Sequence, residues 1–111
     1  MKKKIILPIP VNRALKKLGK DIREARILRQ ITIAMMAERA NVTAVTISKV
    51  EKGDPSVSLG SFATVVFILG MIDKLRDLFD LFDNPVSRML VEKNFPKRVR
   101  AMKSKIQSGE S

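Results

Sequence analysis

The feature that most constrains this chain is a repeated start-and-stop pattern between Thr32 and Gly70. Thr32, Thr43 and Ser58 each stand just before a run whose apolar residues recur at helical spacing. Their hydroxyls are suited to accept the free backbone N–H groups of a first helical turn. Asn41, Gly53 and Gly70 stand just after those runs, and all three tolerate the left-handed backbone that ends a helix. A chain punctuated this closely makes short helices joined by tight turns, not one long helix or a sheet. The expected fold is therefore all-α.

The same spacing sets the other elements. Asn12 is a plausible cap for a first helix over 12–29, with Leu15, Leu18, Ile22, Ala25 and Leu28 on one face and Lys and Arg on the other. The second and third helices cover 33–39 and 43–52, with Ala40, Asn41 and Val42 as the turn between them. The fourth runs from Ser58 to Gly70 with Leu59, Phe62, Val66 and Leu69 inward. Asp73 caps a fifth over 73–82, and Asn84 with Pro85 starts a sixth that reaches about Lys93. Ile22, Met36, Ala37, Val42, Ile47, Val50, Phe62 and Val66 are expected in the core. Residues 1–11 read as an extended arm, 12–83 as a five-helix domain, and 84–111 as a helical or flexible basic extension.

One domain of ordinary size fits 111 residues, and 45% apolar content suffices for a core. The absence of Cys and His removes disulfides, zinc fingers, a thiol or imidazole nucleophile and an imidazole base. No cofactor or metal is implied. Asp73, Asp77 and Asp80 lie at helical spacing, but solvated helix-face charge explains them without catalysis, so an enzyme is the weakest reading.

Charge is more telling. The chain has 22 basic against 11 acidic residues, a formal +11. Residues 1–29 hold ten basic and two acidic residues, 30–83 five and seven, and 84–111 seven and two. Basic ends around a nearly neutral middle suit a compact module drawn to a polyanion, where each neutralised phosphate releases counterions; a simple solubility role is the bland alternative. With no Trp or Tyr and Phe mostly at core positions, base-stacking platforms for RNA are missing. MKKKIILPIPV imitates a signal peptide, but its apolar run is short, broken by Pro8 and Pro10, and without a small-residue cleavage site. With no membrane-length apolar stretch, a cytoplasmic protein is expected.

Two short helices joined by a tight turn, the second opening on small and polar residues, form the shape that places one helix in the major groove of DNA. The run GKDIREARILRQITIAMMAERANVTAVTISKVEKGDPSVSLGSFATVVFILG, about residues 19–70, resembles the Xre or phage-repressor-like helix-turn-helix regulators. The resemblance lies in Arg26 near the end of the first helix, Thr32 opening the second, the Ala40–Asn41–Val42 turn, VTISKVEKG, a Pro-containing loop and a last helix ending in Leu69 and Gly70. The wider layout is similar to HipB-like antitoxins, which neutralise a HipA-type kinase toxin and repress their own operon.

The resemblance implies a recognition helix from Thr43 to Lys52 in which Thr43, Ala44, Val45, Ser48 and Lys49 reach bases. Lys49 can donate to guanine, Thr43 and Ser48 can bond bases or phosphates, and Ala44 and Val45 can pack on thymine methyls. Plainer roles also fit: Val45 partly in the core, Ser48 solvating the helix. Thr32 and Lys52 are candidates for phosphate contact. The resemblance also implies a partly buried ion pair, Arg26 with Glu51, that orients the recognition helix. Ile33 departs from the Gln common at its position, and Asp54 is acidic for a loop near DNA.

Leu75, Leu78, Phe79 and Phe82 present more apolar surface than a closed small domain needs, and are expected to form a homodimer interface. A dimer would set two recognition helices about one DNA turn apart on a palindromic operator of double-stranded DNA. Lys97, Arg98, Arg100, Lys103 and Lys105 form a basic tail that follows phosphates or folds against a partner protein. The leading expectation is a sequence-specific repressor; the alternative is an antitoxin that binds a toxin protein and regulates its own operon.

Overall fold

The computed structural model describes residues 5–80 and 84–94. It is all-α, with no strand among the described residues: α1 Ile9–Leu28, α2 Ile33–Ala40, α3 Ala44–Lys52, α4 Leu59–Ile68, α5 Ile72–Arg76 and α6 Pro85–Asn94. Chain contacts divide it into two compact units, 1–75 and 76–111.

The caps form as their residue types dictate. Thr32 Oγ1 accepts from the N–H of Met35 at 3.0 Å, Thr43 Oγ1 from that of Thr46 at 3.2 Å, and Ser58 Oγ from that of Ser61 at 3.0 Å. In the second unit Asn84 Oδ1 accepts from the N–H of Val86 at 2.8 Å and opens α6.

The first four helices also end alike. A left-handed residue follows each, at Gln30 (φ 56°), Asn41 (56°), Gly53 (71°) and Gly70 (78°). Beyond it, an N–H returns to the carbonyl five residues back: Ile31 to Arg26, Val42 to Ala37, Asp54 to Lys49 and Met71 to Val66. This pattern satisfies carbonyls that helix ends otherwise leave open. Three of the four stops are Asn or Gly. Gln30 carries a Cβ into a conformation that costs L-residues roughly 1 kcal/mol or more, so the turn after α1 must be held by its surroundings.

The first unit packs α1 on α3, α2 on α3 and α2 on α4. Met36, Ile47 and Val65 are fully enclosed, and Ile22, Ile31, Ala37, Ala40, Val50 and Leu69 complete the buried cluster. Each large side chain so enclosed contributes roughly 1.5 to 3 kcal/mol relative to exposure. Val42 and Phe62 pack against the cluster from its edge.

Several expected details are corrected. The first helix begins at Ile9, not Asn12, inside the segment read as an arm. Pro10 lies in its first turn, where a missing N–H costs nothing. Leu28, expected inward, is 82% exposed, because α1 ends as the chain turns into the Arg29–Gln30 stop. On α4 the buried position is Val65, followed by the buried Leu69 at its C-cap, with Leu59 exposed and Val66 half-buried. The run LGSFATVVFI is apolar on nearly every side, so its periodicity does not fix which face turns inward. The fifth helix stops at Arg76 instead of continuing to residue 82.

Candidate nucleic-acid interface

α2 and α3 form a helix-turn-helix through the left-handed Asn41, with Ser/Thr-type caps on both helices. The turn fixes the direction of α3, and the core then decides which of its faces is free. Ile47 and Val50 point inward, while Thr43, Ala44 and Lys52 are exposed, Val45 is 64% exposed, and Ser48 and Lys49 are half-buried. All five proposed base-reading residues therefore retain some exposure on one short helix. Lys49 makes no ion pair among the described residues. Thr43 is less free than its exposure implies, since its hydroxyl oxygen also lies 3.1 Å from that of Thr46. Thr32 is likewise committed as a cap and keeps only its hydroxyl proton for an outside acceptor. Both caps leave the other first-turn N–H groups of their helices unpaired within the helix, which favours anions there.

The other end of α3 is fixed to α1. Arg26 Nε donates to Glu51 Oε2 at 2.6 Å and Arg26 Nη2 to Oε1 at 3.0 Å, a two-pronged pair with both side chains more than nine-tenths buried. The remaining prong, Nη1, donates to the carbonyl of Ile31 at 2.8 Å. Since the Ile31 N–H already bonds the Arg26 carbonyl, both polar backbone groups of Ile31 are held by Arg26. One side chain thus ties α1, the strained turn at Gln30 and α3. Its hydrogen bonds to Glu51 raise the guanidinium pKa above its ordinary value, against the opposing effect of burial.

A second α1–α3 contact carried no functional meaning in the sequence reading. Gly19 lies mid-helix in α1, where a Cβ would come within 2.5 Å of the Glu51 carbonyl oxygen and 2.8 Å of the Gly53 nitrogen. Gly53 reciprocates, since a Cβ there would meet the Leu15 carbonyl oxygen at 2.5 Å. Two glycines let the backbones of α1 and the end of α3 touch. The available signal was Gly19 itself, because a glycine inside a helix costs about 1 kcal/mol against alanine and so points to a packing reason.

Of the residues expected at a dimer interface, Leu75 is half-buried in the first unit, and Leu78 and Phe79 are 69% and 90% exposed in the second. Phe82 and the basic tail from Lys97 to Lys105 lie outside the described residues. Among those described, no helix is long and apolar enough to cross a membrane.

Residues 22–63 match the family model described as Helix-turn-helix. No curated protein and no solved structure gives a match. The matched span runs from Ile22 through the α2–turn–α3 pair to the first residues of α4, and so contains the Arg26–Glu51 pair and every residue of the α3 face. Residues 22–63 are thus a helix-turn-helix domain similar to those of Xre-like, phage-repressor-like regulators, which supports a DNA-binding transcriptional regulator.

Proposed function

We propose that this regulator is a sequence-specific repressor that binds a palindromic operator as a homodimer. The observation that carries the reading is the division within α3: Ile47, Val50 and Glu51 anchor the helix, while Ala44, Val45, Ser48 and Lys49 remain available beside them. The available residues supply a cationic donor, a hydroxyl and two apolar contacts, which suit guanine edges and thymine methyls. Thr32 and Lys52 flank them as phosphate contacts that position without specifying.

The test is a titration of the purified chain against its own upstream promoter fragment and a scrambled fragment of equal length. Lys49→Ala is expected to weaken promoter binding by about 1 to 3 kcal/mol while leaving scrambled-fragment binding nearly unchanged. Equal loss on both fragments would show that Lys49 meets phosphate rather than bases.

Homodimerisation rests on the exposed Leu78 and Phe79, with Leu75 and Phe82 as the remaining members of the proposed interface. Light scattering at tens of micromolar is expected to give the dimer mass. Phe79→Asp is expected to give a monomer whose melting is close to that of the parent domain, because a 90% exposed ring supports little within one copy. A monomeric parent would remove the two-fold operator from the proposal.

One observation favours the antitoxin reading as a second. Val86, Met89 and Leu90 are all more than half exposed on α6, at spacings that share a helix face. Such a strip suits a protein partner. Co-purification of a kinase-type toxin from the native host, lost on Met89→Asp, would support it.

A further inference from the structure

The contacts of α1 with α3 define a line along α1 through Leu15, Gly19, Ile22 and Arg26. Each residue advances the helix by about 100°, so the positions one step on and one step back lie on opposite flanks of that line. One step back, Leu18 lines an open groove of about 350 Å³ with Val57, Leu59 and Phe62, and Ala25 packs against the core. That flank faces the core and the groove toward α4.

One step on are Lys16, Lys20 and Arg23, with Arg13 continuing the same stripe toward the start of the helix. All four are exposed, and none makes an ion pair or side-chain hydrogen bond with another described residue. Lys17, just off the stripe, is instead paired with Asp21. Eleven residues of helix, Arg13 to Arg23, carry these four charges over about 15 Å, and the one acidic residue in that span, Asp21, is paired with Lys17.

Direction follows from α3. Its inward residues Ile47 and Val50 face the core, and Glu51 faces α1. The outer face with Ala44, Ser48 and Lys52 therefore opens on the side of the α1–α3 line away from the core. The basic flank of α1 opens on that same side, because the core and the groove toward α4 take up the other.

From this juxtaposition we propose that Arg13, Lys16, Lys20 and Arg23 form a rail for the sugar-phosphate backbone of the duplex whose groove α3 enters. The inference rests on the DNA-binding reading and adds to it a set of sequence-independent contacts on a different helix. Four closely spaced cations, unpaired among the described residues, complement a duplex carrying one negative charge per about 1.7 Å of axis. Phosphate contact sets register and affinity, whereas the α3 side chains set preference.

The experiment measures the salt dependence of binding to the promoter fragment and to a random-sequence duplex. It compares the parent chain, a variant with Arg13→Gln, Lys16→Gln, Lys20→Gln and Arg23→Gln, and a control with Lys17→Gln, Lys74→Gln and Lys93→Gln. The rail predicts that the first variant loses about 3 to 4 from the slope of log affinity against log salt, on both duplexes alike, with the promoter preference retained. Circular dichroism and thermal melting matching the parent would exclude misfolding, as expected for exposed positions.

A slope equal to the parent's overturns the rail and leaves the stripe to an acidic protein surface. An equal loss per charge in the control also overturns it, since net charge alone would then be felt. If the parent binds neither duplex, the DNA-binding reading itself fails, an outcome distinct from selective binding with an unaltered slope.

Discussion

Replacing Gly19 with alanine is expected to destabilise the domain by about 3 kcal/mol, although the substitution is favourable to an isolated helix by about 1 kcal/mol. The added methyl would stand 2.5 Å from the Glu51 carbonyl oxygen and 2.8 Å from both the Glu51 carbonyl carbon and the Gly53 nitrogen. All three are backbone atoms, so no rotamer change relieves the overlap, and α1 must separate from the end of α3. For a domain of this size the loss corresponds to a fall in melting temperature of 10 °C or more, on the order of 4 to 8 °C per kcal/mol. Gly60→Ala is the internal comparison. Nothing lies within 4 Å of a Cβ at Gly60, so that variant should melt at or slightly above the parent temperature. Paired thermal melts of the two variants decide the matter, and a Gly19→Ala protein as stable as the parent would show that the helices do not need this approach.

Arg26→Ala is expected to cost about 3 to 5 kcal/mol, because it leaves the Glu51 carboxylate buried without its counter-charge. It also removes the donor to the Ile31 carbonyl and frees the turn at the left-handed Gln30. Arg26→Lys should recover little, since one ammonium cannot reproduce two bonds to Glu51 and a third to Ile31. The double variant Arg26→Met with Glu51→Leu should recover most of the loss, as apolar replacement of both members of a buried pair is often near neutral. Urea unfolding of the four proteins gives these differences directly. Were the double variant as unstable as Arg26→Ala, the buried carboxylate would not be the source of the cost.

The pH dependence carried by Arg26 has a definite sign. The folded-state pKa is raised by the bonds to Glu51, so the stabilisation is fully present below the ordinary arginine value and is lost only as pH climbs through the raised one. Between neutral and mildly alkaline pH, the guanidinium contributes no change in stability.

Much of this was legible because local chemistry and tertiary packing agree. Thr32, Thr43 and Ser58 are caps both by residue type and by bond, and Asn41, Gly53 and Gly70 are stops by type and by angle. Such features are decided within a few residues, which is the range that sequence spacing resolves. Arg26 and Glu51 lie 25 positions apart, and their pairing came from the family resemblance rather than from spacing.

What escaped was decided over longer range or by ambiguous composition. The phase of α4 could not be read where nearly every residue is apolar, so Val65 was passed over for Val66. The start of α1 was hidden because two prolines suggest extension, yet one in a first helical turn is fully compatible with a helix. Gln30 gave no warning of a left-handed turn, since the residue type favours none; Arg26 holding both backbone groups of Ile31 supplies the restraint.

The separation of tasks on α3 also bears on how such a regulator diverges. The threonine cap, Ile47, Val50 and Glu51 hold the helix in place, and the side chains of the last three are buried. Ala44 and Val45 hold little, so drift at these positions meets weak purging by selection on folding. With α3 as the proposed base-reading helix, duplicated copies of the gene can change sequence preference at little cost to folding, while the framework that presents the helix is inherited unchanged.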